Sequence, residues 1–364
     1  MANIPPVRTI NRQIRRVRSG QTHSMNYSNI SQISFTDEQT TCNDENILLH
    51  DSGPEDPSRF FIFGSAMAID FMRRSNIIQS DGTFKVAPRL FEQLYVIHGT
   101  FSEVTVPVFF VLMPNRTEET YKKVFAKIVE ICGGEFSSNL IITDFEIAAI
   151  NAYHATNPFS ECTLQGCYYH FQQSHYKKIQ NLGLAKRYNN ELEFACDIRL
   201  LSSLAFVPIN DVRNVFDSVS QYLVTKYGDL LDDYILYFQR NYVGITIGER
   251  LREPRFAIRL WNLHDTAISS GPRTNNSVEG YNHAMNSSFG MSHPTVQKFV
   301  EQIKKEIVKA KIKATEVLNG TQPQPKRPRF REITERLNRI TSTYETYANK
   351  MDFVKQIARI YSVV

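Results

Sequence analysis

The chain has 364 residues, 42% of them hydrophobic and 22% charged, and its 42 Lys and Arg against 37 Asp and Glu give a net charge of +5. Such a composition is globular, with apolar material for a buried core, and the mild basic excess suits an acidic partner without requiring one. The longest apolar run (Val104 to Met113) is about half a bilayer span, the N-terminus has no apolar signal core, and five scattered cysteines make no disulfide framework, which excludes secreted, membrane and fibrous classes.

Met1 to Ser19 carries Arg8, Arg12, Arg15, Arg16 and Arg18 and no acid, and Gln21 to Pro57 is polar, so residues 1–58 are predicted to be a basic arm and a polar linker. Phe60 to Arg73 spaces its apolar residues helically and ends in cations, predicting a helix. Asn76 to Ser80 predicts a short buried strand stopping at Asp81-Gly82, and Gln93 to Phe101 and Thr105 to Met113 predict two more in an antiparallel meander. Thr117 opens a helix to Ile131. Asn139 to Thr143 is a continuous apolar strand stopping at Asp144, followed by a helix from Glu146 to Thr156, a strand from Thr163 to Tyr168, and a long helix from about Phe171. Val207 to Trp261 has helical periodicity and no strand signal. Thr274 to Ser288 and Val296 to Leu318 predict helices, and Thr321 to Arg331 a Pro-rich basic linker before a last helical segment. The predicted division is therefore an arm and linker (1–58), a core (59–200), an all-helical insertion (201–270), the remainder of the core (271–318), and a linker with a C-terminal helix (319–364).

Two acids take matched places. Asp81 and Asp144 each end a predicted buried strand, where open sheets form ligand sites, and neighbouring parallel strands about 4.8 Å apart let two carboxylates share a divalent ion. Glu279 follows the strong N-cap candidates Thr274, Asn275 and Asn276, so it either caps its helix or points across at the two strand ends. Three carboxylates suit Mg²⁺ or Mn²⁺, and two such ions serve in-line phosphoryl transfer. The predicted fold class is α/β: a ribonuclease-H-like mixed sheet with an all-helical insertion before the last catalytic helix.

DGTFK at Asp81 to Lys85, ITDFE at Ile142 to Glu146, CYYH at Cys167 to His170 and RTNNSVEGYNHAMN at Arg273 to Asn286 together resemble the Mutator-like (MULE) DDE transposases. The resemblance runs in order from about Asn76 to Gly290. It implies that Asp81, Asp144 and Glu279 are the metal-binding catalytic triad, that the protein cleaves and joins DNA at terminal inverted repeats, and that Cys167 and His170 are a structural element near the active site. The zinc-binding recognition domain usual at the N-terminus of the family cannot be assembled from Cys42, His23 and His50.

Cys162, Cys167, His170 and His175 fall in a C-x4-C-x2-H-x4-H pattern. Packing and hydrogen bonding are the expectation for them, with a structural zinc as the lesser alternative. A DDE enzyme must hold polyanionic strands, so Lys85, Arg89, Lys177, Lys178 and Arg273 are candidate DNA contacts. Trp261 is a candidate for stacking on an unpaired base, with core packing as the stronger expectation. The lysines from Lys304 to Lys313 fit DNA contact or a solvated helix face. The expected partners are double-stranded DNA, as transposon ends and target, and a second copy of the chain. With Pro325 to Arg329 as a basic motif, the expected compartment is the nucleus. Two other readings stand beside this one: a domesticated DNA-binding regulator without catalysis, and a ribonuclease-H-type nuclease or junction resolvase.

Overall fold

The computed structural model describes residues 27–248, 250–274, 276–321 and 328–360. The arginine-rich arm and Pro325 to Arg327 of the basic linker lie outside these residues. Seven strands form the main sheet: β1 (Leu48–Asp51), β2 (Phe61–Phe63), β3 (Ile77–Thr83), β4 (Gln93–Phe101), β5 (Val104–Met113), β6 (Leu140–Thr143) and β7 (Thr163–Gly166). Their spatial order is β1-β2-β5-β4-β3-β6-β7. The expected antiparallel meander is β3, β4 and β5, and β6 and β7 extend it from β3 in parallel. Parallel neighbours need crossovers, supplied here by helices α2 (Glu118–Ile131) and α3 (Ile147–Ala155), with α1 (Ala66–Arg74) before β3.

Side-chain alternation divides the core between the two sheet faces. Phe61, Phe63, Leu94, Val96, Phe110 and Leu112 lie in one buried cluster; Ile62, Tyr95, Ile97, Phe109 and Val111 lie in the other. Val106 and Val108 belong to the same face as Phe109, and the parity breaks where the β4–β5 register slips between Ile97 and His98, the mark of a one-residue bulge.

Two expectations at the start of the chain change. Phe61–Phe63 is a strand, and the helix begins only at Ala66, where Ser65 Oγ accepts from Ala68 N at 3.3 Å. Three apolar residues in a row are too few to reveal their period, and the helical pattern behind them absorbed them. The predicted polar linker is part of the fold: Leu48–Asp51 is the edge strand, Ile33 and Ile47 are buried, and Arg59 grips Asp51 through two bonds of 2.7 and 2.6 Å. Its few apolar residues do the anchoring, which a compositional reading averages away.

After β7 the chain turns helical: α4 (Tyr168–Asn181), α5 (Ala185–Asn190), α6 (Leu192–Ser203), α7 (Val212–Tyr227), α8 (Asp232–Phe238), α9 (Ile258–Trp261) and α10 (His264–Ile268). The insertion is not purely helical, because Ile245–Ile247 and Arg250–Arg252 pair as an antiparallel hairpin. Then come α11 (Asn276–Phe289) and α12 (Val296–Leu318), which cover the sheet face of Phe61, Phe110 and Leu112. Two further helices, α13 (Pro328–Ser342) and α14 (Lys350–Ile360), pack on α10 and α6 and so join the helical layer.

Candidate functional site

The parallel ladder between β3 and β6 ends with Gln79 opposite Ile142. One residue further, Ser80 Oγ donates to Thr143 Oγ1 at 3.2 Å and accepts from the phenols of Tyr95 (2.8 Å) and Tyr153 (3.0 Å). This hydroxyl clasp joins the two strands where their backbone pairing stops. The next residues are Asp81 and Asp144. Asp144 follows β6 directly, as expected, but Asp81 lies inside β3, which runs on to Thr83 with Asp81 paired to Val96. Gly82 is therefore not the expected turn. It gives room: a Cβ there would come within 2.4 Å of Gln93 Oε1.

Glu279 sits in the first turn of α11, which is tied to the start of α4 where Tyr168 N donates to Arg273 O at 3.0 Å. Residues 279, 282 and 286 share one face of this helix. Asn282 Nδ2 donates to Asp81 Oδ2 at 2.8 Å, and Thr83 Oγ1 donates to Asn286 Oδ1 at 3.2 Å. Asn282, itself buried, was not among the expected site residues. Its signal was present, one helical turn beyond Glu279.

Burial pushes the Asp81 carboxyl up to about 6, in spite of the donors from Asn282 and the Gly82 backbone. Burial, then the charges of Asp81 and Glu146, push Asp144 up to about 8, and Arg116 offsets little of it. Burial and the charge of Asp81 push Glu279 up to about 7. Glu146, also unforeseen as a site residue, accepts from Tyr121 OH at 3.1 Å, and burial raises its carboxyl as well. Asp144 Oδ1 is buried with no hydrogen-bond partner. These acids thus repel one another in a desolvated place short of compensating cations, the arrangement that a hard divalent ion relieves.

The Asn282 donor holds Asp81 down, so its removal has a definite sign. Asn282→Leu is expected to raise the Asp81 titration midpoint by about one pH unit, the scale of a hydrogen bond to a charged group. Carbon-13 NMR of the carboxyl, without metal, reads it.

The four-residue Cys/His set does not converge. Cys162 Sγ donates to Ser138 O at 3.2 Å. His175 is buried, with Nδ1 3.2 Å from Tyr234 OH and its ring edge-on to Phe171. Five residues along a helix turn it about 140° away from His170. Cys167 and His170 instead meet Glu279: one ligand atom from each lies within 4.8 Å of the other two, and Cys167 Sγ is 4.0 Å from Glu279 Oε1. Burial lowers His170 to about 4, which keeps its imidazole neutral.

Among the proposed DNA contacts, Lys85, Arg89 and Lys177 are exposed. Lys178 is half-buried with Nζ 5.8 Å from the Tyr237 ring centre, and Arg273 is half-buried and donates to Thr334 Oγ1 at 3.0 Å. Trp261 is a correction. It is 1% exposed, stacks on Phe171 at 5.3 Å and donates from Nε1 to Tyr242 O at 3.0 Å, leaving no face for a base. The lysines of α12 are neither a free DNA face nor a solvated one throughout: Lys304 donates to Glu38 O, Lys311 pairs with Glu45 at 2.7 Å, and Lys313 donates to Thr105 O at 2.8 Å.

No helix among the described residues is long and apolar enough to cross a membrane. Residues 77–174 match the family model described as MULE transposase domain. No curated protein and no solved structure matches the chain. The matched segment holds Asp81, Asp144, Cys167 and His170 and ends within α4, and it points to a transposase-related function. Over residues 77–174 the chain is therefore similar to the Mutator-like transposases that its motifs resemble.

Proposed function

We propose that the protein is a DDE transposase that cleaves DNA and transfers strands at terminal inverted repeats, with Asp81, Asp144 and Glu279 as its catalytic triad. The observation that carries this reading is the convergence of three carboxylates from two adjacent strands and one distant helix, each raised by burial and two of them by the charge of Asp81. The sheet supports it: an antiparallel meander of β3, β4 and β5, followed by β6 and β7 in parallel beside β3, is the strand order of a ribonuclease-H-like core.

The donor set fits two Mg²⁺ or Mn²⁺ ions, all oxygen and all acidic, with a buried carboxylate oxygen of Asp144 left without a partner. Such ions, when bound, activate a water or a 3′-hydroxyl and stabilise the leaving oxygen of an in-line displacement. The chain's own residues prepare the place. The Ser80 clasp fixes the spacing of the two strands, Asn282 orients Asp81, and the burial of Asp81 and of Asp144 Oδ1 keeps bulk water from them. Exposed Lys85 and Arg89, close behind Asp81 in the chain, meet the phosphate backbone of transposon ends and target. Two ends processed together call for two copies of the chain, and the DNA substrate places the work in the nucleus.

The test is nicking of supercoiled plasmid by wild type, Asp81→Asn and Glu279→Gln, each shown to be folded by thermal melting. Wild type is expected to nick with Mg²⁺ or Mn²⁺ and not with a chelator present, and both variants to be silent. Activity that survives both substitutions overturns the triad. A wild type that binds DNA but never cuts it overturns the catalytic reading in favour of a domesticated regulator.

A further inference from the structure

A second metal-ligand set lies against the carboxylate cluster and is built from different chemistry. Cys167 is the N-cap residue of α4 and His170 is the third residue of its first turn. Side chains at these two positions face each other, as in a capping box, yet Cys167 makes no side-chain capping bond here. The bond from Tyr168 N to Arg273 O draws the start of α11 to the same spot and with it Glu279. The result is a thiol, an imidazole and a carboxylate with one ligand atom each inside 4.8 Å. Cys167 is fully buried, and His170 Nδ1 is buried with no hydrogen-bond partner. A structural histidine on a protein's surface has water for both ring nitrogens, and one packed inside normally finds a bond for each. This one has a nitrogen in reserve beside a thiol and an acid.

We propose that Cys167, His170 and Glu279 form a site for a borderline-soft divalent ion of the Zn²⁺ class, with Glu279 shared between this site and the carboxylate cluster of Asp81 and Asp144. Sulfur and imidazole nitrogen select such an ion over Mg²⁺, which demands oxygen. In a tetrahedral zinc site neighbouring ligand atoms stand about 3.3–3.8 Å apart. The present separations, within 4.8 Å, need contraction of about 1.5 Å or less, within reach of rotamer adjustment by the three side chains. The helix N-terminus stabilises the thiolate, whose proton is released to solvent on binding. Three protein ligands leave the fourth position to water. Binding itself does not depend on the catalytic reading above; the sharing of Glu279 is what joins the two. An ion held here draws the Glu279 carboxylate away from Asp81 and so sets how much of it the neighbouring hard-ion site can use.

The experiment titrates the full chain with Co²⁺ and follows the thiolate-to-cobalt charge-transfer band, with Zn²⁺ affinity measured by competition against a chromogenic chelator. Wild type is expected to give the band with tetrahedral intensity. Cys167→Ser is expected to abolish it. His170→Ala and Glu279→Gln are expected to weaken Zn²⁺ binding by at least roughly 10- to 100-fold, the loss already seen when only a supporting partner of a ligand is removed. Cys162→Ser is expected to leave band and affinity unchanged. A folded wild type without the band, or a band that survives Cys167→Ser, overturns the site. A band intact in Glu279→Gln with unchanged affinity overturns the sharing. Since none of these readouts involves DNA, a protein that binds Co²⁺ as expected and cuts nothing fails the catalytic reading alone.

Discussion

Asp144→Asn is expected to abolish DNA nicking and, in the same protein, to raise its melting temperature in metal-free buffer. The two effects have one cause. Asp144 is held next to Asp81 and Glu146 in a buried place, and its carboxyl is pushed up to about 8. In the unfolded chain it titrates near 3.8, so the folded state binds the proton more tightly. A raised carboxyl of this kind costs nothing below about pH 4, costs progressively more as pH rises toward 8, and levels off above it, with a limiting slope of about 1.4 kcal/mol per pH unit. Asparagine keeps the shape and removes the charge. The melting difference between variant and wild type should therefore be absent near pH 4, open steadily to pH 8, and amount to several degrees there, at roughly 1.3 °C per kcal/mol for a chain of this size. Added Mn²⁺ should close the gap by stabilising wild type and not the variant. Nicking should fall by at least 10²–10³-fold, roughly the scale for losing one preorganised electrostatic group. A variant that melts lower than wild type at pH 8, or that nicks normally, removes Asp144 from the site.

The second large effect is structural. Trp261→Ala is expected to cost about 3–5 kcal/mol, the range for emptying a large aromatic site. Trp261 lies 5.3 Å over Phe171, with its ring edge toward Phe238 (6.0 Å) and Tyr242 (6.2 Å), and its indole N–H satisfies Tyr242 O. Phe171 is one turn past Cys167, so this aromatic stack is continuous with the site. Trp261→Phe retains most of the volume and loses the hydrogen bond, a smaller cost of about 1–2 kcal/mol. Urea melts at constant slope check both, and DNA affinity of the Phe variant should match wild type. A fall in DNA affinity with unchanged stability would restore the base-stacking role that the buried position speaks against.

The parts of the site visible in the sequence were those that short-range patterns encode. NLIIT ending at Asp144 announces a buried strand and its acid together, and the run of N-cap residues before Glu279 announces a helix start. Asp81 was found by residue type, although its strand runs two residues past it; Gly82 reads as a turn signal and serves instead as a gap for Gln93. Asn282 and the Ser80 clasp depend on which helix lies over which strand, and a chain read in order holds no such knowledge. Trp261 is the opposite case. A single Trp at the end of an insertion invites a functional role, whereas the size of its apolar surface commits it to the core. The N-terminal segment was misjudged by averaging, since Ile33, Ile47 and the Arg59–Asp51 pair hold it down with few residues.

The long gap between Asp144 and Glu279 has a consequence in time. The two aspartates lie in and just after neighbouring strands and are made first, while the glutamate is added about 135 residues later, after the helical insertion. At roughly 5–20 residues per second, a chain emerging from the ribosome carries the aspartates for about 7–27 s before the glutamate exists. During that interval the sheet can close with only part of its mutual repulsion present, and any product of early termination lacks the residue that completes the cluster. The order of synthesis withholds the full set of acids until the sheet and the insertion are there to contain it.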